Sequence, residues 1–97
     1  MTPHNNTDAG RWELVVDGEV VSYADYHYDG TRVVFPHTVT APHHRGKGYA
    51  AVVVEAALDD ILATGGRTVV PSCWFVADLI AATPRFQPLL QVGPGPT

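Results

Sequence analysis

The chain has 97 residues, with six Lys+Arg against ten Asp+Glu for a net charge of −4, and 45% of its residues are apolar. That length holds one small core and excludes a second independent domain, and the composition is that of a globular chain rather than a disordered or fibrous one. The acidic balance excludes a general nucleic-acid coat, the single Cys73 excludes an internal disulfide, and the lack of an 18-residue apolar run or a basic leader reads as a cytoplasmic soluble protein with no membrane segment.

Residues 1–10 are polar and aperiodic, and 91–97 hold two Gly and two Pro, so both read as flexible tails around a single domain over 11–90. Arg11 to Asp17 alternates, with Trp12, Leu14 and Val16 on one face, and ends at Asp17-Gly18, a pair suited to a two-residue hairpin. Glu19 to Tyr28 is rich in Val and Tyr and closes at Asp29-Gly30, after which Thr31 to Thr40 resumes as a β-branched run. These three runs predict an antiparallel meander. Pro36 lies inside the third run, where it has no N–H for the ladder, so a bulge or a splayed neighbour is expected there.

Tyr49 to Thr64 places Val53, Val54, Ala57, Leu58, Ile61 and Leu62 at helical spacing, and Gly65-Gly66 stops it. Arg67 to Pro71 is a short apolar strand, and Trp74 to Thr83 reads as a second helix ending before Pro84. Arg85, Phe86 and Pro88-Leu89-Leu90 form a last edge segment, with Pro84 and Pro88 leaving little room for a regular strand. Strand, helix and strand make a βαβ unit whose right-handed crossover sets 31–40 and 67–71 parallel. The fold class is therefore α/β (α+β): a three-stranded antiparallel meander, a β-α-β unit and a second helix. Ligands in such sheets bind beyond the strand ends, which points to residues 40–49.

That stretch contains His43-His44-Arg45-Gly46-Lys47-Gly48-Tyr49-Ala50, a local cluster of cations in an acidic chain. Gly46 and Gly48 allow backbone conformations in which successive N–H groups converge on an anion, helped by the helix dipole, with Arg45 and Lys47 adding charge. The alternative is a loop that only turns the chain into the helix. A Walker loop fails because Gly48, not Ser or Thr, follows Lys47. A dinucleotide fingerprint over Gly46, Gly48 and Ala51 lacks the acidic residue at the end of the next strand.

Arg45-Gly46-Lys47-Gly48-Tyr49-Ala50 instead resembles the Arg/Gln-x-x-Gly-x-Gly/Ala loop of the GNAT acetyltransferase superfamily, between a strand and a helix as that family requires. The resemblance takes in Phe35-x-His37-Thr38-x-x-x-Pro42, Val54-Glu55-Ala56-Ala57-Leu58 and Val70-Pro71-x-Cys73-x-Phe75-Val76, from about Trp12 to Leu90, and is to the small single-domain GNAT-like N-acetyltransferases. It implies a compact GNAT-like fold and acetyl-CoA as cosubstrate, in a cleft where the strand before the loop splays from the strand after the helix. By position His44, Arg45, Gly46, Lys47, Gly48, Tyr49 and Ala50 would bind the pyrophosphate, and Val39 and Thr40 would offer main-chain groups to the pantetheine arm. It also implies an amine acceptor, either a small molecule or a protein lysine.

The chemistry needs a neutral amine, a polarised thioester carbonyl and a proton for the departing thiolate. His37 is a candidate base, since histidine titrates near neutrality, or else a buried residue bonded only to backbone. The second helix lacks the Tyr that many relatives use as the acid. Cys73, at the helix N-terminus, is a candidate proton donor or acetyl-accepting nucleophile, or else a small packed residue. His27, His43 and His44 read as surface residues, and with no recognisable ligand spacing and no nearby carboxylate no metal is expected. Asp25 and Asp29 would suit a cationic acceptor or are solvated charges. A non-catalytic acetyl-CoA-binding module or a protein-interaction module is the alternative function, with no nucleic acid or membrane partner and a monomer or weak homodimer expected.

Overall fold

The computed structural model describes residues 2–90. The elements in chain order are β1 (His4–Asn6), β2 (Arg11–Val16), β3 (Glu19–Asp29), β4 (Arg32–Thr40), a 3₁₀ turn over Pro42–His44, α1 (Tyr49–Thr64), β5 (Thr68–Val70), α2 (Trp74–Ala82) and a 3₁₀ segment over Pro84–Leu90. The strands form one five-stranded sheet in sequence order, antiparallel from β1 to β4 and parallel between β4 and β5. This is the mixed α/β architecture that the alternation and helical spacing predict.

The meander has one strand more than expected. Residues 1–10, read from their polarity as a loose tail, contain β1, which pairs His4 with Glu13 and Asn6 with Arg11. Polar contacts hold it rather than apolar ones: Asn6 Nδ2 donates to Glu13 Oε2 at 3.2 Å, and the Tyr26 hydroxyl donates to Asn5 Oδ1 at 2.6 Å. The tail expected over 91–97 lies outside the described residues.

The hairpin at Asp17-Gly18 forms as its sequence dictates, with φ of 51° and 80° at the two residues, the double positive φ of a turn that matches strand twist. The irregularity expected at Pro36 is also present. Asp25 pairs with His37 and His27 with Val34, so Tyr26 faces both Phe35 and Pro36. Two residues opposite one is a β-bulge, and it falls where proline withdraws the ladder donor.

On one face α1 packs across β2, β3 and β4. Its buried residues Val53, Val54, Ala57, Leu58 and Ile61 join Leu14, Val21, Ala24, Val33 and Phe35 in a single core. Gly65, at φ 76°, ends the helix and donates its N–H to Ile61 O at 3.0 Å. The Pro84–Leu90 segment follows α2 as a 3₁₀ helix that buries Phe86 and Leu89. Among the described residues no helix is long and apolar enough to cross a membrane.

Candidate functional site

The site begins where β4 and β5 part. Their parallel pairing runs from Arg32 with Thr68 to Val34 with Val70, and the Cys73 N–H then donates to Phe35 O at 2.9 Å. Beyond the Phe35–Pro36 bulge no strand lies beside β4 on that side among the described residues. The gap is a cleft of about 510 Å³ between Thr38, Val39 and Thr40 on one wall, Cys73, Trp74 and Phe75 on the other, and Arg45, Gly46 and Ala50 at its end. A second hollow of about 230 Å³ continues along the loop past His44, Gly48, Tyr49 and Ala51.

The loop is built to present donors. Gly46 and Gly48 sit at φ 84° and 78°, backbone that strains any residue with a Cβ. Gly48 is the N-cap of α1 and offers no side chain to its first turn, whose opening helical bond is Val52 N–H to Gly48 O at 3.3 Å. Among the described residues, the N–H groups of Gly46 to Ala51 meet no protein acceptor. A Cβ built on Gly46 or Gly48 would meet no atom within 4 Å, so the loop is not crowded at either glycine. Unpartnered donors at a helix N-terminus with Arg45 beside them can receive a phosphate-class anion.

Most of the residues singled out by sequence come together here. Val39, Thr40, His44, Arg45, Gly46, Gly48, Tyr49 and Ala50 all line the two hollows. Lys47 does not: its Nζ lies 3.1 Å from His44 Nδ1 and 5.9 Å from the centre of the Tyr49 ring. Cys73 stands in the cleft wall as the N-cap of α2, half-buried, with Sγ 3.6 Å from Thr38 Oγ1. Burial pushes its thiol up, but the Thr38 hydroxyl beside it and the nearby backbone amides of Val76, Phe75 and Thr38 favour the thiolate, outweigh burial and hold the thiol below its ordinary value.

His37 is not brought to the cleft, contrary to its reading as a candidate base. Strand alternation turns it away from the face on which its neighbour Thr38 meets Cys73, and it is exposed opposite Asp25. The larger cleft thus has two titratable groups in its lining, Arg45 and Cys73. Sequence reasoning quoted Thr38 without giving it a role, and it missed Ser22. The Ser22 hydroxyl lies 3.0 Å from both Val39 O and Thr40 Oγ1, and so fixes the end of the cleft-side strand from beneath. The signal was the stripe shared by Ser22, Thr38 and Thr40, hydroxyls at alternate positions on facing strands.

No curated protein matches the chain. A family model does, over most of its length, and the matched span takes in β2 to β5, the glycine loop, Cys73 and Phe86. By that match to the model described as GCN5-related N-acetyl-transferase, from residue 11 to residue 89, the chain belongs to the GCN5-related N-acetyltransferase family.

Proposed function

We propose that the protein transfers an acetyl group from acetyl-CoA to a primary amine, directly or through Cys73. The observation that carries this reading is the splay of β4 from β5, which opens a cleft between Thr38–Thr40 and Cys73–Phe75 under the unpartnered amides of Gly46 to Ala51. Acetyl-CoA supplies a thioester whose carbonyl carbon is open to attack. The loop amides and Arg45 suit its pyrophosphate, and the unpaired edge of β4 from Thr38 to Thr40 suits the amide groups of its arm.

Cys73 then carries the proton chemistry, because the lining of that cleft offers no carboxylate, imidazole, phenol or amine side chain beside it. In direct transfer the Cys73 thiol gives its proton to the departing thiolate and recovers one from the acylated nitrogen. In relayed transfer the Cys73 thiolate forms the bond to the acetyl carbon as the carbon–sulfur bond to CoA breaks; the amine then attacks that carbon, the bond to Cys73 breaks to restore its thiolate, and the proton of the acylated nitrogen passes to the CoA thiolate. The thiol's depressed pKa and its bond to Thr38 favour either role.

The test is an isothermal titration with acetyl-CoA, followed by thiol release across a panel of amines. Saturable micromolar binding, about −8 kcal/mol, that disappears in Gly48→Glu supports the cofactor loop. Binding without thiol release from any amine overturns the transferase reading in favour of a CoA-binding module. If Cys73→Ser retains full turnover, both roles of Cys73 are excluded, and direct transfer stands with the proton carried by another group or by water.

A further inference from the structure

We infer that Glu19, His43 and His44 form a binding site for a divalent transition metal of the zinc class, which clamps the β2–β3 hairpin to the turn before the glycine loop. Glu19 opens β3 directly after the Asp17-Gly18 turn, and the two histidines lie together on the Pro42–His44 turn. Glu19 Oε2 lies 3.1 Å from His43 Nε2, and Glu19 Oε1 lies 3.4 Å from His44 Nε2. One ligand atom from each residue falls within 4.8 Å of the others.

Those spacings are the basis of the assignment. Metal–nitrogen and metal–oxygen bonds of about 2.0–2.1 Å in a tetrahedral centre put neighbouring ligand atoms about 3.3 Å apart. Both glutamate–histidine distances already stand near that edge, one from each carboxylate oxygen, and the three ligand atoms lie within 4.8 Å of one another, so a shared ion draws them only slightly closer. Imidazole and carboxylate donors suit zinc, nickel or copper and select against magnesium and calcium, which take oxygen sets. His43 is exposed and His44 largely covered, so the fourth position faces solvent and takes a water.

The site is coupled to the glycine loop through Lys47. As the structure stands, Lys47 Nζ donates to His44 Nδ1 at 3.1 Å, which leaves the ring proton on Nε2, toward Glu19. A metal on Nε2 displaces that proton to Nδ1, where it meets the ammonium, so loading the site breaks the Lys47–His44 bond and releases Lys47 from it. The binding thus carries a cost that removal of Lys47 relieves.

The experiment titrates Zn²⁺ alone into the full chain by competition with a chromophoric chelator, and repeats it with Co²⁺ for spectroscopy. One ion per chain is expected, with uptake weakened about tenfold or more in Glu19→Gln and in His43→Ala, unchanged in His4→Ala and Cys73→Ala, and unaffected by excess Mg²⁺. Lys47→Ala tightens it roughly threefold by removing a nearby charge and a competing bond. The Co²⁺ form shows ligand-field bands without sulfur charge transfer, and ring ¹⁵N signals of His43 and His44 move on loading while those of His4 and His37 do not. Absence of saturable uptake, uptake undiminished in either Glu19→Gln or His43→Ala, or a sulfur charge-transfer band overturns the site. Weaker binding in Lys47→Ala overturns its coupling to the loop.

Discussion

Cys73 Sγ lies 3.6 Å from Thr38 Oγ1, a contact between two residues 35 apart in the chain that face each other across the open part of the β4–β5 gap. Burial alone would raise the thiol, so its depressed pKa depends on the Thr38 hydroxyl and the backbone amides of Val76, Phe75 and Thr38 beside it, which favour the thiolate. Thr38→Val keeps the shape and removes the hydroxyl, so the thiol pKa should rise. The pH profile of iodoacetamide alkylation in the full chain reads this directly: the wild-type midpoint falls below that of a free thiol, and the variant's lies above the wild type's. Equal midpoints would show that the hydroxyl contributes nothing to the thiolate.

Gly48 sits at φ 78° with open space where a Cβ would point. Gly48→Ala therefore meets no clash, and its cost is backbone strain, about 1–2 kcal/mol in urea unfolding. Gly48 also lines the hollow beside the loop proposed to hold the pyrophosphate, so a strained backbone there should lower acetyl-CoA affinity while the fold persists. Gly18→Ala, at φ 80° in the distant hairpin and likewise unobstructed, is the control. It should carry a similar stability cost with no change in affinity.

Phe86 is fully buried on the 3₁₀ segment that follows α2 and lies in the same core as Val53, Leu58 and Ile80. Phe86→Ala should destabilise the protein by about 3–5 kcal/mol, the cost of a large cavity in a core with little surface to spare. Urea unfolding measures it. A loss below about 1 kcal/mol would mean that the segment rests on the domain rather than closing it.

These sites differ in how far the sequence discloses them. The helix over Tyr49–Thr64 is legible to the residue, because six apolar positions at helical spacing end at two glycines. The Pro36 bulge is legible for a similar reason: one residue lacks the donor that the ladder needs. β1 is not, because His4, Asn5 and Asn6 carry no apolar alternation and are held by hydrogen bonds to Glu13 on the neighbouring strand and to Tyr26, 21 residues from Asn5. The Glu19 cluster is hidden likewise, since local spacing shows two adjacent histidines, and only the hairpin's return beside the Pro42–His44 turn brings the carboxylate. His37 fails in the opposite sense. It is in the right strand, but the pleat decides which face it takes, and the bulge resets that count one residue before it.

Glu13 is buried on β2, with Oε2 2.6 Å from Arg11 Nε and 3.2 Å from Asn6 Nδ2, and Oε1 3.2 Å from His4 Nε2. Burial pushes its carboxyl up, but the bonds from Arg11 and Asn6 outweigh it and hold the pKa below the ordinary glutamate value. An acid whose folded pKa is depressed contributes stability above its unfolded pKa, and that contribution is lost as pH falls through the folded value. Glu13→Gln does not titrate there and keeps only neutral hydrogen bonds. It should be less stable than the wild type at neutral pH, by about 1–3 kcal/mol for the loss of a buried charged acceptor. The difference should shrink as the pH is taken below the usual carboxylate range. Urea unfolding of both proteins from neutral to acid pH checks the sign, since a gap that widened on acidification would mean that β1 and Arg11 do not stabilise the ionised form. Because two of the three groups bonded to this carboxylate belong to β1, removal of residues 1–7 should flatten the acid limb in the same direction, with Arg11 left to hold part of it.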